Sequence, residues 1–293
     1  MSGPGSQSEI FARGALAGRS VLVTGGGTGL GRETAFELAR CGASVTIAGR
    51  REEVLREAAG GVASADGEIG WVVGDVREPS EAARIVEVVL ERRGRLDVLV
   101  NNAGGQFFSP AELIAAKGWR AVWRLNVGGM LNMAEAAHRL AFEAAGTGAV
   151  INVTLSPHHG MPGMAHSGAA RATVEALTRE LAARWAGSGV TVAAVAAGHF
   201  ATEVTAKYPE SVRAGASRTV PLQRLGTPIE HAWLVTLLAS PAGRTFNGST
   251  VTLDGARDNW FGPWPPPGLA DEGGAVPVEA RKAGGVVEGP GLR

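Results

Sequence analysis

The chain has 293 residues, 45% of them apolar, a formal net charge of zero and one cysteine. That length admits one large α/β domain or two small ones. The neutral balance argues against a nucleic-acid partner held by bulk electrostatics, and a lone Cys41 excludes an intrachain disulfide framework.

Residues 1–17 are rich in glycine and serine and read as a loose arm. The first eleven residues lack the basic flank and apolar run of a signal peptide, and no apolar stretch is long enough to span a bilayer. Together with the cysteine count, this makes the cytoplasm the expected location. An apolar run over 21–24 predicts the first strand. Thr24-Gly25-Gly26-Gly27-Thr28-Gly29-Leu30-Gly31 follows, then a helical pattern over 32–41. Strand, glycine turn and helix form an arrangement suited to a pyrophosphate. Glycines let the backbone approach the phosphates, and the helix start offers unpaired N–H groups and a positive dipole end. A glycine-rich loop without a ligand shows the same pattern, so the rest of the chain must decide. Cys41, at the expected helix end, reads as a buried structural thiol.

Further strands are expected over 44–48, 69–74, 96–100, 149–154, 190–196 and 249–253. Helices are expected over 52–59, from Pro79 onward, within 119–144 as one or two long helices, over 168–186 and over 229–238. The alternation predicts an α/β fold: a doubly wound parallel sheet of about seven strands with helices on both faces. Residues 18–256 make this domain, and 257–293 read as a Gly/Pro-rich extension.

An acid at the end of the second strand would hydrogen-bond an adenosine ribose and select NAD. Here the place reads Ala48-Gly49-Arg50-Arg51. Arg50, with Arg51 beside it, supplies a planar cation suited to a 2′-phosphate, which favours NADP(H); a solvated helix start is the plain alternative. Asp75 is placed to accept from an adenine amino group with Val76 beneath the ring. Asn102, Ala103 and Gly104 lie at the carboxyl end of the fourth strand, where such sheets bind ligands.

These residues carry a resemblance. Thr24 to Gly31, Asp75-Val76, Asn101-Asn102-Ala103-Gly104, Asn126, Ala197-Gly198…Thr202 and Phe246-Asn247-Gly248…Asp254-Gly255 together resemble the short-chain dehydrogenase/reductase family, with its Rossmann-type sheet, over 16–256. NNAGGQFFSPAELIAAKGW (101–119) and HSGAARA (166–172) look like the branch of peroxisomal trans-2-enoyl-CoA and 2,4-dienoyl-CoA reductases. That branch reduces a C=C bond conjugated to a thioester. The resemblance implies a homodimer or homotetramer, and places Gly198 and Thr202 at the nicotinamide. The terminal Gly291-Leu292-Arg293 is not a Ser-Lys-Leu-type address.

The family's usual serine, tyrosine and lysine fall here on Thr154 (or Leu155), Ser167 and Arg171. The single tyrosine, Tyr208, lies far from that helix, so the usual carbonyl-reduction relay is missing from it. Arg171 keeps a ribose-binding charge but moves no proton. Ser167 is a hydrogen-bond donor for a thioester carbonyl whose enolate it would stabilise. The proton for the α-carbon would come from water, His158, His159, His166 or Tyr208. His166 reads equally as a packing or capping residue, and Asn126 either holds a relay water or bonds backbone at a helix kink. The expected function is NADPH-dependent reduction of a 2-enoyl thioester. Carbonyl or alcohol oxidoreduction with a rearranged proton donor is one alternative. A redox-silent NADP-binding protein is the other. No set of residues at metal-ligand spacing is present.

Overall fold

The computed structural model describes residues 7–61, 68–156, 158, 163–203, 205 and 220–259. Seven strands run in chain order: β1 Ser20–Thr24, β2 Ser44–Gly49, β3 Glu68–Val73, β4 Val98–Asn101, β5 Gly148–Leu155, β6 Val190–Ala197 and β7 Thr250–Leu253. The helices are α1 Gly29–Arg40, α2 Glu52–Gly60, α3 Pro79–Arg93, α4 Ala116–Trp123, α5 Gly129–Ala137, α6 Glu143–Ala145, α7 Ala165–Trp185 and α8 Pro228–Ala239. All strand pairs are parallel, in the order β3-β2-β1-β4-β5-β6-β7.

Strand alternation explains the layers. Val21 and Val23 of β1 and Val98 and Val100 of β4 enter one core with residues of α1, α2 and α8. Leu22 and Leu99, between them, enter the other core with α3, α5 and α7. Successive side chains of a strand point to opposite faces, so a sheet covered on both sides needs an unbroken apolar run. The chain order reverses direction between β1 and β4, which opens a crevice at their carboxyl ends.

Caps set the helix ends. Pro79 and Pro228 start α3 and α8. Glu230 accepts from the Thr227 amide at 2.8 Å and from the Arg224 guanidinium at 2.6 Å. The Arg224 hydrogen bond is the main cause that holds the Glu230 carboxyl down at about 2. Between α4 and α5 the helix widens into a π-type turn, Arg124–Gly128, and again at His138–Phe142. The stretch expected as one or two long helices is a single run interrupted by these two turns. The second half of the arm is tied down: Leu16 is buried and its amide donates to Cys41 O at 2.8 Å. Gly14 and Gly18, both at positive φ, turn the chain on either side of it. Cys41 is buried at the α1 end, and burial pushes its thiol up to about 11.

His231 of α8 is fully buried, with Nδ1 3.3 Å from Thr34 Oγ1 and its ring edge-on to Phe200. Burial pulls it down to about 4. The unfolded chain therefore binds a proton that the folded chain refuses, and stability falls as pH drops from 6.5 to 4. The loss amounts to about 3 kcal/mol in all. His231→Gln should flatten that limb, as read from urea unfolding at pH 7 and pH 4.5.

Candidate active site

A cavity of about 460 Å³ opens at the carboxyl edge of β1, β4, β5 and β6. Its walls bring together Gly25, Gly27, Thr28, Gly29, Leu30, Gly31, Arg50, Arg51, Asp75, Val76, Asn102, Ala103, Gly104, Thr154, Arg171, Gly198 and Thr202. The separate sequence marks thus converge on one crevice.

The glycine turn is packed too tightly for side chains. A Cβ on Gly26 would lie 2.5 Å from Ile47 Cγ2, and one on Gly31 would lie 2.5 Å from Gly25 O. Asn102 pins the turn to β4: its Nδ2 donates to Thr24 O at 2.9 Å and Gly25 O at 3.2 Å. Thr24 Oγ1 in turn accepts from the amides of Asn102 and Ala103. The start of α1 already receives an anionic group. Glu203 Oε1 accepts from the Gly29 amide at 3.1 Å and pairs with Arg32 at 3.1 Å. A carboxylate there stands for a phosphate oxygen, so the turn fits a dinucleotide pyrophosphate.

At the far end, Arg50 and Arg51 are exposed and form no ion pair with a described residue. Asp75 is turned onto Arg77, accepting from its amide at 3.1 Å and its Nε at 2.9 Å. These bonds hold its carboxyl below the usual range.

At the inner end, Arg171 of α7 donates from Nη1 to Val153 O at 2.8 Å. Burial lowers its guanidinium to about 10, below the range for a free arginine, and it remains charged at neutral pH. Asn126 sits in the π-type turn. Its Nδ2 donates to Val122 O at 2.8 Å and Gly105 O at 2.9 Å, and its Oδ1 accepts from the Gly105 amide at 3.2 Å. It therefore bonds backbone and ties the β4 loop to the helix. Thr202 and Thr205 brace each other: Thr205 Oγ1 accepts from the Thr202 amide at 3.0 Å and Thr202 Oγ1 from the Thr205 amide at 3.1 Å. The turn at Ala197-Gly198 is closed by backbone bonds: Ala197 O accepts from Ser156 N and Gly198 N donates to Leu253 O, each at 3.0 Å.

Three expected catalytic residues, Asn126, His166 and Ser167, are off the cavity wall among the described residues. His166 and Ser167 are fully buried. The His166 ring packs edge-on to Phe107 at 4.3 Å and Trp119 at 6.1 Å. Burial keeps it below its ordinary value despite the Met164 carbonyl, so it is a neutral packing ring at pH 7 and not a charged proton donor. The Ser167 hydroxyl has no hydrogen-bond partner among the described residues. Tyr208 and His159 lie outside the described residues.

Sequence reasoning missed Glu175. It is buried on α7 one turn after Arg171, and Thr154 Oγ1 donates to its Oε1 at 2.7 Å. His158 Nε2 meets the same oxygen at 3.0 Å. The signal available was position: Ser167, Arg171 and Glu175 share one helical face. Among the described residues no cluster suits a metal ion, and no helix is long and apolar enough to cross a membrane.

Residues 25–256 match the family described as enoyl-(acyl carrier protein) reductase. A probable 2,4-dienoyl-CoA reductase of Bacillus subtilis is 35% identical over 252 residues, covering 84% of this chain and 98% of its own. The peroxisomal 2,4-dienoyl-CoA reductase of Arabidopsis thaliana is 32% identical, covering 82% and 84%. Among solved structures, a citronellol catabolism dehydrogenase of Pseudomonas aeruginosa PAO1 is 38% identical with a TM-score of 0.76, covering 85% of this chain and 98% of that one. A short chain dehydrogenase from Bacillus anthracis is 34% identical with a TM-score of 0.79, covering 85% and 100%. With the crevice of a nicotinamide-dinucleotide oxidoreductase and these relatives, the chain belongs to the short-chain dehydrogenase/reductase family.

Proposed function

We propose that the protein is an NADPH-dependent reductase of an alkene conjugated to a thioester, with 2-enoyl- or 2,4-dienoyl-CoA as the substrate class. The observation that carries this reading is Ser167 and Arg171 on α7, where carbonyl reducers of the family carry tyrosine and lysine. The names of the Bacillus subtilis and Arabidopsis thaliana relatives support the same class.

Gly25 to Gly31 would hold the pyrophosphate, Arg50 and Arg51 the 2′-phosphate, Asp75 and Val76 the adenine, and Asn102 to Gly104 the ribose-facing edge of β4. Gly198 and Thr202 would meet the nicotinamide amide. When bound, the reduced nicotinamide supplies a hydride. Arg171 holds a fixed positive charge beside it. We also propose a homodimer or homotetramer in the cytoplasm, to be checked by light scattering and fractionation.

NADPH should be oxidised with crotonyl-CoA, a longer 2-enoyl-CoA or a 2,4-dienoyl-CoA, and more efficiently than NADH. Arg50→Ala should raise KM for NADPH by about 10- to 100-fold, the worth of a charge-assisted hydrogen bond, and leave NADH unchanged. A second reading, carbonyl reduction, has a relative behind it: the 3-oxoacyl-[acyl-carrier-protein] reductase of Thermotoga maritima, 31% identical. A 3-oxoacyl thioester in the same assay separates the two. NADPH binding without turnover of either panel would leave the redox-silent reading.

A further inference from the structure

We propose that His158, Glu175 and Thr154 form a proton relay from solvent to the inner end of the cavity, a route that stands in for the missing phenol. The inference rests on the reductase reading above. Thr154 lines the cavity beside Arg171. Its Oγ1 donates to Glu175 Oε1 at 2.7 Å, and His158 Nε2 lies 3.0 Å from that same oxygen. One carboxylate oxygen therefore bridges a cavity hydroxyl and an imidazole. The His158 side chain is 32% exposed and Glu175's is 9%, so one end of the chain of groups meets water and the middle is dry.

The imidazole is held on its other side as well. Asp258 receives the His158 amide at 2.6 Å through Oδ1, and its Oδ2 pairs with His158 Nδ1. Asp254 Oδ2 accepts from the Asp258 amide at 2.7 Å and from Ser156 Oγ, which fixes this turn against β5. Among the described residues, the charged groups facing His158 are thus Glu175 of α7 and Asp258 of the turn after β7; Arg257 of that turn acts on His199 instead. Burial pulls the imidazolium down, but the Asp258 hydrogen bond and the two carboxylate charges outweigh it and raise His158 above its ordinary value. An ion pair that only anchored the turn would need Asp258 alone. The second bond, through Glu175 to a cavity hydroxyl, gives the proton a destination.

The step balances as follows. Hydride addition at one end of the alkene leaves an enolate pair on the thioester side. That pair forms a C–H bond at the α-carbon with the Thr154 hydroxyl proton. For this the Thr154 hydroxyl turns from Glu175 to the α-carbon, the imidazolium passes its Nε2 proton to the Glu175 carboxylate, Glu175 Oε1 hands that proton to Thr154 Oγ1 as the hydroxyl proton leaves, and His158 recovers one from water. The alkene gains H⁻ and H⁺, and NADPH leaves as NADP⁺.

The tests are Glu175→Gln, His158→Ala and Asp258→Asn in the full chain. In the cofactor-free protein, the NMR titration midpoint of His158 should lie above 6.5 and fall in Glu175→Gln and Asp258→Asn. In turnover with an enoyl- or dienoyl-CoA, Glu175→Gln should lower kcat by about 100-fold, the low end of a positioned acid's contribution. Its solvent deuterium isotope effect should grow, while the Kd for NADPH stays within about twofold, less than 0.5 kcal/mol. Wild-type kcat should fall as pH rises through the His158 titration, and Asp258→Asn should move that limb down. Imidazole in the buffer should partly restore His158→Ala, which a merely structural loss would not allow. Wild-type kcat and solvent isotope effect in Glu175→Gln, or no rescue of a folded His158→Ala, would overturn the relay alone. A wild type that turns over no conjugated thioester would overturn the substrate reading, and the relay with it.

Discussion

Arg171→Met should lower kcat by about 10²- to 10³-fold, the usual cost of removing one preorganised electrostatic donor from an active site. The side chain reaches the cavity from α7 with Nη1 on Val153 O at 2.8 Å, while its Nε has no partner among the described residues. A Cβ on Gly104 would overlap Arg171 Nη2 and lie 2.8 Å from Asn126 Oδ1. The guanidinium is therefore pressed directly under the end of β4, with no room for another residue's side chain. Methionine keeps the apolar stem and removes the charge, so the fold should survive and the thermal midpoint should move little. Arg171→Lys should recover part of kcat, because it restores the charge but not the planar fork. Stopped-flow NADPH oxidation with an enoyl thioester measures both. Unchanged kcat in Arg171→Met would show that the cation takes no part in the reaction. With its pKa near 10, the charge is present below that pH, so no loss from this group is expected across neutral pH.

Gly31→Ala should damage binding and stability together. The added Cβ would overlap Asn102 Nδ2 and lie 2.5 Å from Gly25 O. Neither neighbour yields easily, since one is backbone and the other is engaged with Thr24 O and Gly25 O. Overpacking costs about 1–3 kcal/mol, and an orphaned buried amide adds about 1–3 kcal/mol. A combined loss of about 3 kcal/mol would lower Tm by about 6–12 °C in a domain of this size. If the turn is displaced from its phosphate-binding shape by the same strain, Kd for NADPH should rise by about 100-fold. Isothermal calorimetry and thermal unfolding separate the two effects. An alanine variant with normal affinity would mean that the turn shifts without consequence for the ligand.

Local signals account for what the sequence made legible. Val21 to Thr24 alternates between two buried faces, and the glycine turn must follow because the backbone there touches Asn102 and Ile47. The convergence of Asp75, Asn102, Arg171 and Thr202 on one crevice was legible as order along the chain, because a parallel sheet brings every strand's carboxyl end to the same edge. A helix kink at Asn126 was one of the two readings of that residue, but the π-type form of the turn was not legible: one extra residue in a helical turn leaves the apolar period almost unchanged. The Glu175 cluster was hidden for a different reason. His158 finds Glu175 17 positions away and Asp258 100 positions away, and Asp258 stands in a stretch whose composition reads as an extension. His166 carried two readings of equal weight, and the structure accords with the packing one. Its place beside Ser167 drew a chemical role, whereas Phe107 and Trp119, far off in sequence, make it a ring in an aromatic box.

Glu203 gives the glycine turn a resident anion. With its carboxylate on the Gly29 amide and on Arg32, the positive end of α1 is already neutralised before any dinucleotide arrives. Cofactor capture is then an exchange of one anion for another, and the measured affinity is the difference between them. Glu203 follows Thr202 directly, so a pyrophosphate that displaced its carboxylate from the Gly29 amide and Arg32 would release the residue next to the expected nicotinamide contact.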